Sequence, residues 1–363
     1  MRAGSVAVVF GTRPEIVKLA PVIWALGPAT RSIHSGQHYD PTLSAVFLDE
    51  LGLRAPDVAL AVGGMTRAAQ VGSALLALDQ LFQRERPDAV VVQGDTNTAL
   101  AGALAANGRE IPLVHVEAGL RSFDRAMPEE HNRVVADHLA DLCCAPTETS
   151  RANLQAEAIA ADRIVVTGNT VVDAVERVVP DGGTRSLMLE RRKLSPNGYV
   201  LATLHRPENV DDPGVFRAIL DELALIPLPV LLPLHPRSVA RAATFGLDDA
   251  LTKIRVIEPL AYTEFLAFAR ECAFLVSDSG GVQEEASVLK RPVLVFRRST
   301  ERPEVLGTFS ELVSTPPALR ARALEWASDI PALHARLGRL PSPYGDGYAG
   351  TRIARAIAEL VAG

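Results

Sequence analysis

The stretch Ala89-Val90-Val91-Val92-Gln93-Gly94-Asp95-Thr96-Asn97-Thr98 opens with four consecutive apolar residues and closes in a polar turn. A continuous apolar run this short and this rich in β-branched residues predicts a strand buried on both faces, the mark of a parallel sheet covered by helices on each side. Working outward, the same unit recurs. Strand candidates at 5–10, 30–34, 112–116, 141–145 and 163–166 are each followed by a helix-like stretch. The pattern then restarts, with candidates at 199–203, 229–233, 254–257, 274–277 and 292–296. Strand alternating with helix predicts an α/β protein. Two runs of it predict two Rossmann-like doubly wound domains facing a cleft. The linker is expected between 168 and 184, dividing a domain over 1–170 from one over 171–344, with a closing helix at 345–363 packed back on the first.

Composition agrees and excludes several classes. A chain of 363 residues accommodates two domains of ordinary size. Hydrophobic residues at 48% and charged residues at 22% exclude global disorder. A net charge of −6 argues against a nucleic-acid binder. Cys143, Cys144 and Cys272 are too few for a disulfide framework or a structural zinc site. The apolar run after Met1 is too short for a signal-peptide core, and no run is long enough to span a membrane. The cytoplasm is the expected location.

Ligands of doubly wound domains bind at the carboxyl ends of the strands, so the polar residues just after strands carry the functional reading. The first strand ends in Gly11-Thr12-Arg13-Pro14-Glu15, which sets Arg13 beside a helix N-terminus, a position suited to an anion, with Lys18 about a turn further on. A dinucleotide fingerprint G-x-G-x-x-G is absent at this turn, which counts against a dehydrogenase. Asp95 follows the strand at 89–92, and its plain structural role would be to cap the next helix. Glu117 follows the next strand in His115-Val116-Glu117-Ala118-Gly119-Leu120-Arg121, where a buried salt bridge with Arg121 is the bland alternative. Glu129 opens a helix four residues before Arg133, a spacing that allows a helical ion pair. Each alone is ordinary. Three carboxylates at one rim suit general acid and base work, and no histidine stands at metal-ligand spacing with them.

The second half supplies a basic rim. His205 and Arg206 follow one strand, and His235 with Arg237 follows the next. The sharpest local signal is Ser277-Asp278-Ser279-Gly280-Gly281-Val282-Gln283-Glu284-Glu285, a strand end that turns through two glycines into a helix. Amides at that helix start form an anion site, Gly280 and Gly281 let a diphosphate approach the backbone, and Glu285 is placed for ribose hydroxyls. Arg302 follows the next strand and brings a further cation.

These motifs, with Gly36-Gln37-His38, Pro128-Glu129-Glu130, His205-Arg206-Pro207-Glu208-Asn209 and Thr300-Glu301-Arg302-Pro303-Glu304, occur in an order that resembles the non-hydrolysing UDP-N-acetylglucosamine 2-epimerases over nearly the whole chain, Pro343-Tyr344-Gly345-Asp346-Gly347 included. The resemblance implies a glycosyltransferase-B-like fold and commonly a homodimer. It implies interconversion of UDP-N-acetylglucosamine and UDP-N-acetylmannosamine through elimination of UDP to a 2-acetamidoglucal and re-addition; the missing dinucleotide fingerprint and the absence of a His/Cys metal cluster in the sequence predict that no added metal or nicotinamide is needed. By motif matching, Asp95, Glu117 and Glu129 become acid/base residues and His205 stabilises the departing diphosphate. Arg13, Ser279, Gly280, Gly281 and Arg302 would hold phosphate, Glu285 the ribose, and Lys18 and Arg133 would support the site. Arg206 and His235 become substrate contacts, and with Gln37, His38 and Arg67 they are candidates for contacting a second, activating substrate molecule. The segment 123–127 is shorter than in some bacterial relatives, and Gly307-Thr308-Phe309-Ser310-Glu311-Leu312-Val313 departs from the family pattern. The competing readings are a hydrolysing epimerase releasing N-acetylmannosamine, a glycosyltransferase sharing the fold, and a non-catalytic nucleotide-sugar sensor.

Overall fold

The computed structural model describes the backbone of residues 1–2, 4–37 and 41–363, and the side chains of these except 41–45, 236 and 237. The chain divides into two compact units, Met1–Arg177 with Tyr344–Gly363, and Val178–Pro343. The expected division after 170 runs ahead of the helix Thr170–Val178, which closes the first unit and buries Val171, Val172, Ala174 and Val175.

The first unit is built on a seven-stranded sheet: β1 (Val6–Phe10), β2 (Thr30–His34), β3 (Val58–Ala59), β4 (Ala89–Gln93), β5 (Leu113–Val116), β6 (Leu142–Ala145) and β7 (Ile164–Val166). They lie in the order 3-2-1-4-5-6-7, all pairings parallel. Every residue of β1 and β4 is buried, which is why both read as unbroken apolar runs. The second unit carries β8 (Val200–Thr203), β9 (Val230–Pro233), β10 (Arg255–Ile257), β11 (Phe274–Ser277), β12 (Val293–Phe296) and β13 (Ser310–Val313), in the order 10-9-8-11-12-13, again parallel. The reading from sequence lacks β3, which is only two residues long, and β13, whose Ser310 and Glu311 interrupt the apolar signal.

Two glycines show how closely the first unit packs around its strand ends. A Cβ on Gly11 would stand 2.1 Å from Ser35 Oγ and 2.3 Å from Thr98 Oγ1, so the turn after β1 needs glycine for close approach. Gly119 has φ +83°, and a Cβ there would lie 2.3 Å from the Ser150 carbonyl oxygen. The last helix, Ala349–Ala362, lies against Arg13–Leu26, and a Cβ on Gly350 would stand 2.6 Å from the Pro21 carbonyl oxygen. Asp173 caps that last helix, accepting from the Gly350 and Ala349 amides at 2.9 and 3.2 Å. No helix among the described residues is long and apolar enough to cross a membrane.

Candidate active site

Strand order reverses between β1 and β4 in the first sheet and between β8 and β11 in the second. Open α/β sheets bind ligands outside the carboxyl ends of the strands at such reversals. The predicted residues lie at those ends. In the first unit, Arg13 is exposed at the start of its helix, and Asp95 and Glu117 leave the adjacent strands β4 and β5, which are in register at Gln93 and Val116.

The helix after β4 begins at Asn97, and its cap is Thr96, whose hydroxyl accepts from the Ala99 amide at 3.0 Å. Asp95 is thereby free of the capping role its position suggests. Its carboxylate pairs with Arg133 instead and remains 31% exposed. Glu117 pairs with Lys18, not with Arg121, and both partners are buried. Glu117 also holds φ +67°, a conformation that costs a non-glycine residue about 1 kcal/mol or more and that clusters at functional sites. Arg121 turns away to Asp137 and Glu157. Glu129 stands exposed while Arg133 pairs with the buried Glu130, so the ion pair runs three residues along the helix rather than four. Glu130 also accepts from the Ser122 and Phe123 amides at 3.0 and 2.9 Å, fixing the loop before its helix.

Two expected activator contacts lock into the same turn. Gln37 Oε1 accepts from the Thr98 amide at 2.9 Å and the Thr98 hydroxyl at 2.8 Å. Arg67 donates to Asn132 Oδ1 at 2.7 Å, and Asn132 donates to the Asp95 carbonyl at 2.8 Å. His38 lies outside the described residues.

A residue read only as part of a motif is Glu15. Its fully buried carboxyl accepts from the Gly11 amide at 3.0 Å, the Thr12 hydroxyl at 2.8 Å and the Thr96 hydroxyl at 2.7 Å, joining the turns after β1 and β4. Burial outweighs these donors and pushes its pKa up to about 7. The folded protein therefore holds a proton there that the unfolded chain releases at the ordinary carboxyl value, and stability falls as pH rises from the ordinary value towards 7. Urea midpoints measured from about pH 5 to 8 should fall more steeply for the natural protein than for Glu15→Gln. Equal slopes would contradict this.

In the second unit, His205 is exposed and sets Nδ1 2.7 Å from Asp278 Oδ1. Asp278 is fully buried and also accepts from the His205 and Arg206 amides and from Asn209 Nδ2, at 3.0, 2.9 and 3.0 Å. Burial opposes its charge, but the bonds from His205 and Asn209 prevail and hold the carboxyl below its ordinary value. Asp278, whose sequence neighbours give no sign of its 73-residue reach to His205, thus fixes the His205 ring through Nδ1. Arg206 is half-buried, with Nε donating to the Asp278 carbonyl at 2.9 Å, and His235 is exposed.

The helix Gly280–Leu289 starts without a side-chain cap from Ser279. A Cβ on Gly281 would meet nothing within 4 Å, whereas one on Gly280 would stand 2.6 Å from Glu301 Oε1. Glu285 is buried and accepts from the Tyr262 hydroxyl at 2.9 Å. Arg302 is also buried, paired with Glu284 and Glu301, and Arg297 lies 2.8 Å from Glu301.

Two parallel doubly wound sheets with ligand-suited groups at both reversals define the glycosyltransferase-B-like class. Anabaena HepE, solved with UDP, shares this fold at 14% identity and TM-score 0.57. The family model described as UDP-N-acetylglucosamine 2-epimerase matches residues 28–358, and the chain belongs to that family. The Methanocaldococcus jannaschii UDP-GlcNAc 2-epimerase, crystallised with UDP-GlcNAc and UDP, is 38% identical with TM-score 0.85, covering 98% of this chain and 99% of its own. A Pseudomonas aeruginosa UDP-2,3-diacetamido-2,3-dideoxy-D-glucuronate 2-epimerase is 34% identical over 97% of this chain and 99% of its own.

Proposed function

We propose that the protein interconverts UDP-N-acetylglucosamine and UDP-N-acetylmannosamine without hydrolysis, by eliminating UDP to 2-acetamidoglucal and adding it back with the opposite configuration at C2. The observation that supports this most is the pair of carboxylates at the ends of β4 and β5, each held by a basic residue from another element: Asp95 by Arg133 and Glu117 by Lys18. C2–H is a weak acid and needs a positioned base, and the leaving diphosphate needs cations and amides where its charge develops. In this reading Asp95, Glu117 and Glu129 handle protons at C2 and its neighbours, and His205 Nε2 meets the departing diphosphate. Arg13, Ser279, Gly280 and Gly281 hold phosphate, Glu285 the ribose, and Arg302 fixes the glycine turn through Glu301. Arg206 and His235 complete the basic side. Elimination stores no hydride, so the reaction needs no nicotinamide, and in this reading the cationic side chains and amides at the diphosphate take the place of an added metal.

The test is incubation with UDP-N-acetylglucosamine alone in deuterium oxide, followed by NMR. Formation of the UDP-linked epimer with deuterium at C2, unchanged by EDTA, is the expected result. Free N-acetylmannosamine would identify a hydrolysing enzyme, and no reaction without an acceptor would favour a glycosyltransferase or a sensor. The Pseudomonas relative supports running the diacetamido-glucuronate nucleotide in parallel.

Gly281→Ala separates binding from folding. Open space surrounds the missing Cβ and alanine favours a helix, so the melting temperature should hold. UDP affinity by calorimetry should fall about tenfold, since the methyl group stands where the diphosphate is proposed to approach. Unchanged affinity would move the diphosphate away from this turn.

A further inference from the structure

Behind the turns that carry Asp95 and Glu117 lies a buried group of charges that the proposed reaction does not use. His115, on β5, places Nδ1 2.7 Å from Asp137 Oδ1 and Nε2 2.8 Å from the Gly94 carbonyl oxygen. Both His115 and Asp137 are 0% exposed. Asp137 also accepts from the Gly119 amide at 3.2 Å and lies 2.7 Å from Arg121 Nη1. Arg121 in turn grips Glu157 through Nε and Nη2 at 2.7 and 2.6 Å. On the neighbouring strand β6, Cys143 Sγ donates to the Asp137 carbonyl, and burial pushes that thiol up to about 12, so it is neutral. Arg163 donates to the Asp137, His138 and Ala140 carbonyls. The pairs Lys18–Glu117 and Asp95–Arg133 stand on the adjoining turns.

We propose that His115 is a permanent imidazolium and a positioning residue, holding the Gly94 carbonyl and so the turn that presents Asp95. A neutral imidazole has one N–H and one bare lone pair. Both ring nitrogens of His115 face oxygens that offer only lone pairs, so losing either proton would set lone pair against lone pair in a dry site. The buried Asp137 faces His115 on one side and Arg121 on the other, while Glu157, 27% exposed, sits at the edge of the group with Arg121 and His138. Burial by itself opposes the charge on His115, but Asp137 and the Gly94 carbonyl prevail and raise its pKa. Gly94 is held from the same strand on both sides, since its amide donates to the Val116 carbonyl at 3.0 Å. Because Asp137 also binds Gly119 and Arg121, one carboxylate couples the Asp95 turn to the Glu117 turn.

The charge half of this inference stands without substrate, whereas the positioning half rests on the proposed role of Asp95. Protein labelled with nitrogen-15 at histidine should show one ring with both nitrogens protonated between about pH 6 and 9. That resonance should vanish in His115→Gln, or shift in Asp137→Asn should the first variant fail to fold. A His115 ring that becomes a single neutral tautomer within that range would overturn the inference, whatever the enzyme's activity. In the foldable variant, kcat should fall by about tenfold to a hundredfold while UDP affinity is kept, because a small displacement of a reacting group is costly. Unchanged kcat in an active natural background would overturn the positioning role. A natural protein that fails to epimerise, with the doubly protonated ring present, would instead overturn the proposed function alone.

Discussion

Asp95→Asn, Glu117→Gln and Glu129→Gln should each lower turnover by at least about a hundredfold, the usual scale of lost general acid–base catalysis, while UDP still binds. The structure separates what else each change does. Asp95 is partly exposed and Arg133 keeps Glu130 as a second partner, so Asp95→Asn should fold normally. Glu129 is exposed at the start of its helix, and its amide should also leave stability intact. Glu117→Gln breaks the buried ion pair with Lys18 from one side, a loss of about 3–5 kcal/mol. Glu117 should therefore lose stability and turnover together, and Lys18→Met combined with Glu117→Gln should recover stability without recovering turnover. At least one of the three variants should also stop exchanging the C2 hydrogen with solvent deuterium. Near-normal turnover in all three would refute the acid/base assignment.

How much was legible in the sequence follows from the range of each interaction. β1, β4 and β11 were legible because strands buried on both faces read as apolar runs, and the strand ends located Asp95, Glu117, His205 and the Gly280–Gly281 turn without any pairing information. Partner choice was not legible. Lys18 and Glu117 are 99 residues apart and His205 and Asp278 are 73 apart, and only the sheet order brings them together. Local rules also misassigned neighbours. The four-residue helical spacing favoured Glu129 for Arg133, but Glu130 faces inward and reaches both the loop amides and the guanidinium. Asp95 read as a helix cap, yet Thr96 sits one residue closer to the helix and takes that role. Glu15 and His115 carry no signal of their own within their motifs. What marks them is complete burial of an ionisable group between turns, which a sequence does not display.

Arg302→Ala should unfold the second unit more readily than any change confined to the ligand-facing groups there. From sequence, Arg302 reads as a phosphate contact whose loss weakens UDP binding. In the structure the guanidinium is buried and its charge faces Glu284, which is fully buried, and Glu301, which is 8% exposed. Truncation withdraws the guanidinium from both carboxylates and leaves Arg297 beside Glu301, and breaking a buried ion network from one side costs about 3–5 kcal/mol. Burial opposes the Glu301 charge, but Arg302 and Arg297 outweigh it and hold its carboxyl well below the ordinary range. The stability this supplies is present above the ordinary carboxyl pKa and is lost as pH falls through the lower folded value. The destabilisation from Arg302→Ala should accordingly be largest near neutral pH and shrink in acid. Glu285→Ala provides the contrast. It loses the neutral bond from the Tyr262 hydroxyl and, on the proposed reading, the ribose contact, so UDP affinity should fall about tenfold to a hundredfold with a smaller change in melting than the broken ion network gives. Calorimetric melting of both variants with and without UDP decides the matter, since ligand raises the transition only where it still binds. An Arg302→Ala protein that melts like the natural one but no longer binds UDP would restore Arg302 to the phosphate and remove it from the buried network's defence of the fold.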